Sequence, residues 1–312
     1  MATAPRHSRH GDLRAAAPRP GGMASVLIQR SVEVGRVSWW AILLCLACDP
    51  GVPDPVLDLP HRSNDAPGGA EVARDIRTLD LEAREERIYT EIAQGNVPSS
   101  LRQLGRVEMT GEIDGRMHRV TFWVTPDYLA VGSDADFFLV PLSPQMAQRI
   151  ADLVGGSLPT PLMVDAVWAS ARVRLAPIRL GPDEFMTTVR YFERHHHMVQ
   201  AQRLLFHVPP GVIVAGHKKD IVLTASLSEN PGKVAIYGWH RLDGLPIQPL
   251  STVLRDSWVG YNHGIRLVDR GILVDGAVRD LSDVLRDPEL APLLSADGVM
   301  AEARYSVLRG DG

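Results

Sequence analysis

The sequence predicts an α+β fold: a mostly antiparallel sheet with several packed helices in a single main domain. Three observations predict it. Segments with helical spacing come in blocks among alternating segments, not in strict strand–helix alternation. Asp114-Gly115 stands between two alternating runs, the signature of a two-residue hairpin turn. Of the 312 residues, 45% are hydrophobic and 22% charged, which is enough apolar material for a core and too much for a disordered or collagen-like chain.

Along the chain, Val72 to Gln94 reads as helix through Val72, Ile76, Leu79 and Ala83, then Leu81, Ile88 and Ile92, with Gly95-Asn96 as its stop. Val107, Met109 and Ile113 alternate with polar residues, and Val120, Phe122 and Val124 alternate after the turn. Short strands follow at 128–131 and 137–140. Ser143 before Pro144 opens a helix with Met146, Ile150 and Leu153 on its inner stripe, and Thr160-Pro161 opens another, with Thr as cap and Pro in the first turn. A Pro-rich connector at 176–182 leads to a long helix from Asp183 to Leu205. Strands are expected at 212–215, 221–224, 234–239 and 258–268, and a last helix at 281–285.

The first 71 residues read as address and tether. Residues 1–22 form a polar extension, and Met23 is an alternative start. Within residues 23–48, Arg30 and Arg36 precede the apolar run 37–47. As a helix that run rises only about 16 Å, roughly half a bilayer, which suits a secretory signal better than a membrane span. Cys45-Leu-Ala-Cys48 resembles the lipobox of bacterial lipoproteins. The resemblance implies cleavage after Ala47 and a lipid on Cys48, while Cys45 departs from the usual Leu and leaves ordinary signal cleavage open. Residues 49–71, rich in Pro, Gly and Asp, are expected to be an extended linker to a domain spanning 72–312.

Charge and cysteine usage exclude several functions. The formal charge is −4, and without residues 1–47 the chain holds 27 basic and 35 acidic residues, a charge of −8. Such a body offers no basic footprint for nucleic acid and no electrostatic pull toward anionic lipid. Cys45 and Cys48 are the sole cysteines, so thiol catalysis and disulfide stapling in the body are excluded.

The densest polar signal is Gly216-His-Lys-Lys-Asp220, which holds two of the three lysines in a chain that otherwise writes positive charge as 30 Arg. It reads as a turn between strands. Either it is a solvated charged loop, or His217 is a general base beside Lys218 and Asp220. His240 and His263 fall at further strand ends. Convergence of His217, His240 and His263 would give a three-histidine zinc site with Asp220 as fourth ligand or outer partner, although no known metal motif is present. In His195-His-His197, the spacing of Phe185, Val189, Phe192, His196, Val199 and Arg203 places only His196 inward. Ser133-Asp-Ala-Asp136 reads as a solvated turn or a weak cation site, and Gly155-Gly-Ser157 as a tight linker.

Lys233-Val-Ala-Ile-Tyr-Gly238 faintly resembles a strand of papain-like cell-wall peptidases and amidases. Here Lys233 stands in place of that family's strand histidine, and the required cysteine is missing. Leu158 to Asp165, Ala215 to Asp220 and Ile236 to His240 resemble phrases of bacterial secreted proteins without an assigned activity, which implies a shared domain. Together these readings predict an exported, lipid-anchored envelope protein. Its expected activity is a His-dependent, zinc-assisted or metal-free hydrolysis of amide or ester bonds in an envelope polymer. The other expectation is a non-catalytic lipoprotein that binds a protein or glycan.

Overall fold

The structure is a computed structural model and describes residues 54–307. The polar extension, the signal segment and Cys48 lie outside the described residues. Among the described residues no helix is long and apolar enough to cross a membrane.

The hairpin forms as the turn chemistry dictates. Strands β1 (Gly105–Ile113) and β2 (Arg116–Val124) pair antiparallel over nine residues, and Asp114 and Gly115 both take positive φ, 49° and 77°. Two adjacent positive-φ residues match the right-handed twist of the flanking strands. Strand β2 is the axis of a six-stranded sheet. Its other edge pairs with β12 (Val268–Asp269) and β13 (Gly271–Val274), which extend the sheet to β5 (Gly156–Ser157) and β14 (Ala277–Asp280). Phe122, Val120 and Val124 are fully buried in the main core with Ile272, Val268 and Leu285.

Helices cover this core. The 72–94 helix divides into α1 (Gly69–Asp75), a single 3-10 turn and α2 (Leu81–Ala93). The reason is local: the Asp80 carboxylate accepts from the Ala83 N–H at 2.9 Å and so starts a new helix. Helices α3 (Pro144–Leu153) and α4 (Pro161–Ser170) begin where expected, with the Ser143 and Thr160 hydroxyls accepting from Met146 and Met163. The long helix α5 (Val189–Leu205) starts six residues late, because Asp183 turns back on the Phe185 N–H and holds residues 183–188 in turns. Helix α6 (Leu281–Arg286) closes the order.

Two short pairs, β3 (Ala130–Gly132) with β4 (Phe137–Leu139) and β6 (Val173–Arg174) with β7 (Val214–Ala215), frame the functional region. A four-stranded sheet completes it: β10 (Pro246–Ser251), β9 (Ile236–His240), β8 (Lys219–Ile221) and β11 (His263–Gly264). The β8–β9 and β9–β10 pairings are antiparallel and β8–β11 is parallel, so the α+β class with mostly antiparallel sheets holds.

The linker needs correction. Residues 54–68 are extended but not free: Leu57 is buried, its N–H bonds to the Arg102 carbonyl at 2.8 Å, and the Trp123 indole donates to Asp54 at 2.7 Å. Proline-rich composition keeps a segment extended, but it does not prevent apolar residues such as Leu57 from packing. The folded body therefore includes residues from Asp54 on.

Candidate functional site

The 216–220 segment is not a surface turn. After β7, Gly216 takes φ +100°, and a Cβ there would lie 2.6 Å from the Leu175 carbonyl oxygen, so only glycine lets the chain cross at this point. The crossing carries His217, Lys218 and Asp220 into the interior, each 1% exposed or less, and leaves only Lys219 half-buried. A solvated loop is thereby ruled out. Isolated charges this deep would be prohibitive, so each has to be read with its neighbours.

Asp127, just after β2, anchors one side. Its carboxylate accepts from the Tyr128 N–H at 2.7 Å and is ion-paired to Arg203 of α5. Burial pushes this carboxyl up, but Arg203, His217 and Arg266 together outweigh burial and hold it well below the usual carboxylate range. His217 Nε2 lies 3.2 Å from Asp127 Oδ1 without a properly directed hydrogen bond, and both ring nitrogens lack a partner. Burial lowers the His217 pKa against the pull of Asp127, which favours a neutral imidazole beside an ionised carboxylate.

Tyr128 links the two halves of the site. Its ring meets His217 edge-on, with centroids 4.8 Å apart, and its hydroxyl donates to Asp220 Oδ2 at 2.8 Å. Arg266 lies over this ring at 4.5 Å, donates to the Thr125 and Val214 carbonyls at 2.6 and 2.7 Å, and stands 3.8 Å from Asp220. Burial raises Asp220 to about 6 despite Arg266 and Tyr128. Lys218 donates to the Tyr261 carbonyl at 2.6 Å, and burial pushes it down to about 7 against the attraction of Asp127.

The three histidines expected to bind zinc do not form a ligand set. His240 is bonded through Nε2 to Asp165 of α4 at 2.8 Å, stacks on Trp168, and shares Asp165 with the Tyr237 hydroxyl at 2.9 Å. The strand bends there: Gly238 and Trp239 take φ of +95° and +54°, so the consecutive side chains of Trp239 and His240 are both buried. His263 is paired in register with Lys219, keeps Nδ1 without a partner, and is lowered to about 3, first by burial and then by Lys219 and Lys218. Among the described residues no three His, Cys, Asp or Glu side chains are grouped so as to hold a metal ion. The zinc site at His217, His240 and His263, with Asp220, is corrected accordingly.

In the histidine triplet, His195 is buried as fully as His196, and only His197 faces out. His195 packs against the Tyr261 ring at 5.1 Å, and burial holds its pKa well below the usual histidine value. The helical stripe was read too narrowly, because α5 is covered on two sides. Asp134 and Asp136 are spent on structure, accepting from the Ser100 and Ala70 N–H groups at 2.9 and 3.0 Å. Lys233 donates to the Val253 carbonyl at the surface.

Sequence reasoning missed Asp127, Tyr128, Arg203 and Arg266. Arg203 closes the otherwise apolar stripe of α5, and Arg266 interrupts the run Ile265-Arg-Leu-Val268; both are signals of a buried cation. Behind Arg203 lies a void of about 20 Å³, bounded by Asp127, Tyr128, Phe137 and Leu101, which is room for one water. In front of Arg203 opens a cleft of about 430 Å³ lined by Phe137, His196, His197, Gln200 and Leu204. Arg203, Phe137 and Ser100 border both spaces. Asp127 and Arg203 border the void, and His217 does not line it but lies 3.2 Å from the Asp127 carboxylate. A carboxylate, a guanidinium and an imidazole so connected can exchange protons and stabilise an oxyanion. No protein-family model, curated protein or solved structure matches the chain.

Proposed function

We propose that the chain is an exported envelope protein, anchored by lipid at Cys48, whose interior cluster hydrolyses an amide or ester bond of an envelope polymer. The observation that carries this reading is the enclosed His217–Asp127 pair, 3.2 Å apart, with Arg203 ion-paired to Asp127 at the edge of the cleft and Asp220 and Lys218 buried beside it. Buried titratable groups with displaced pKa values that cluster at a cleft are candidates for a working site.

In this reading the polymer enters the cleft and Arg203 receives the carbonyl oxygen. A water held at the Asp127 carboxylate, which borders the void, gives its proton to neutral His217, 3.2 Å from that carboxylate, as its oxygen bonds to the carbonyl carbon. Asp127 stabilises the imidazolium. The tetrahedral adduct then expels the amine or alcohol, which takes the proton back from His217, so acid and alcohol or amine are the only products. Tyr128 and Asp220 hold the imidazole in place, and Lys218 tunes the field around it.

The test is hydrolysis of peptidoglycan fragments and of ester substrates by the purified protein and by His217→Gln. Loss of turnover by about 100-fold or more, with the melting temperature nearly unchanged, supports the reading. An active His217→Gln sinks it. The complete enclosure of His217 favours the second reading, a non-catalytic lipoprotein that binds a protein or glycan. That reading expects no turnover from the unaltered protein on any of these substrates.

A further inference from the structure

Helix α5 ends in an apolar tip that none of the described residues covers. Leu204 and Leu205 are 76% and 74% exposed and Phe206 54%. His207 then reverses the chain at φ +48°, and Val208-Pro-Pro-Gly-Val212 leads into β7. From Ala201 to Ile213 there is no acidic residue, in a body whose net charge is −8. Three consecutive large apolar side chains, each more than half exposed, are a costly surface unless something takes them out of water.

The path of the chain says what that is. Asp54 and Pro55 are fixed by hydrogen bonds from the Gln103 side chain and the Leu104 N–H, at 3.1 and 3.0 Å. Three residues before Gln103, Ser100 lines the same cleft as Leu204, Val208 and Pro210. The place where the chain enters the body and the apolar tip thus flank one short turn. Six peptide steps separate Cys48 from Asp54, a reach of no more than about 20 Å fully extended. A body held that close to a lipid at Cys48 presents its entry side to the bilayer. Electrostatics cannot draw an acidic body to anionic lipid, so the attraction has to be apolar.

We infer that Leu204, Leu205 and Phe206 form a membrane-contact surface, inserted at the bilayer interface beside the lipid anchor. The inference rests on the lipid-anchored reading above. Insertion would add an apolar contact to the anchor and fix how the body is oriented on the bilayer. It would also point the cleft, which Leu204 lines, toward the membrane-proximal zone.

The test uses the full lipidated chain reconstituted into phosphatidylethanolamine–phosphatidylglycerol vesicles. A fluorophore is placed on Leu205→Cys or, as control, on Val278→Cys, a 70%-exposed site on β14. Flotation together with quenching by lipid-borne quencher about fivefold stronger at position 205 than at 278 supports the inference. Flotation with equal or no quenching at the two positions overturns the tip and leaves the anchor standing. A chain that does not float overturns the anchor, and the tip with it. A position-205 label already shielded from iodide without lipid assigns the patch to a protein contact and overturns the inference.

Discussion

Two histidine–carboxylate pairs occupy the same sheet region, and their surroundings differ completely. His240 and Asp165 join at 2.8 Å with a carboxylate that is 45% exposed, so water shares the work of stabilising the charge. His217 and Asp127 approach to 3.2 Å with both side chains enclosed, the hydrogen bond unaligned, and two guanidinium groups close by. The surface pair is satisfied and cheap. The interior pair is enclosed and depends on its neighbours at every step.

That contrast is broken most forcefully at Asp127. Asp127→Asn keeps the shape and removes the charge that balances Arg203, leaving Arg203 and the fully buried Arg266 with only Asp220. A loss of about 3–5 kcal/mol is expected in urea unfolding, because a buried cation without its partner costs more than the pair ever contributes. A loss under about 1 kcal/mol would mean that the interior ions are solvated and the two pairs are alike.

Gly216→Ala is the next largest. The added methyl meets the Leu175 carbonyl at 2.6 Å in a left-handed conformation, so both sterics and backbone oppose it. A cost of about 2–3 kcal/mol is expected in thermal melting, from strain at a special backbone position. An alanine variant of normal stability would show that the crossing is loose and that 216–220 can move outward.

Acid sharpens the comparison through the signs of the shifts. His196 and His263 are held near 3 by burial, below the usual 6.5, so the unfolded chain binds more protons than the folded one between those values. Stability must therefore fall as pH drops from about 6.5 to 3, by up to about 1.4 kcal/mol per pH unit for each histidine. Asp220, raised to about 6, works oppositely between about 4 and 6, since its protonated form is the better buried one. His195 and His217 are lowered as well, while Glu85 and Asp269 are raised with Asp220, so four histidines against three carboxyls leave a net loss on acidification. On the alkaline side, Lys218 at about 7 makes stability rise from pH 7 toward 10. Urea midpoints across pH 4–9 check both slopes, and His263→Gln should flatten the acid one.

How much of this was legible in the sequence follows from the range of the interactions. The hairpin and the Ser143 and Thr160 caps are local: two to four residues decide each, and each stands where the pattern places it. The strand expected at 258–268, by contrast, is only the short pieces β11 and β12, and the one expected at 221–224 is β8 at Lys219–Ile221. His217, Lys218 and Asp220 were legible as a cluster through the bias against lysine, but not as an interior one, because charged residues after a glycine read as a turn. Their burial depends on Asp127, Arg203 and Arg266, which are 90, 14 and 49 residues from His217. No spacing rule connects them. The zinc expectation failed for the same reason, since strand ends that share a sheet can still be claimed by other partners, as Asp165 claims His240. The tether failed where a single leucine, Leu57, had a pocket to enter.

The smallest effect tests the surface member. Asp165 accepts from His240 and from Tyr237, so Asp165→Asn removes two charge-assisted bonds yet leaves a side chain that can still accept. Burial and the Asp165 carboxylate together raise the Tyr237 hydroxyl, and the substitution removes the second of these causes. With nearly half of Asp165 in water, the expected loss is at most about 1 kcal/mol in urea unfolding. A larger loss would show that Asp165 works through Asp220, which feels both Asp165 and His240 from the adjacent strand. The double variant Asp127→Asn with Asp165→Asn decides this. Additive losses mean two independent pairs, whereas a sum that departs by more than about 0.5 kcal/mol joins surface and interior into one network. In that case the hydrolase proposed above would include His240 in its site, and His240→Gln should reduce any turnover that His217→Gln reduces.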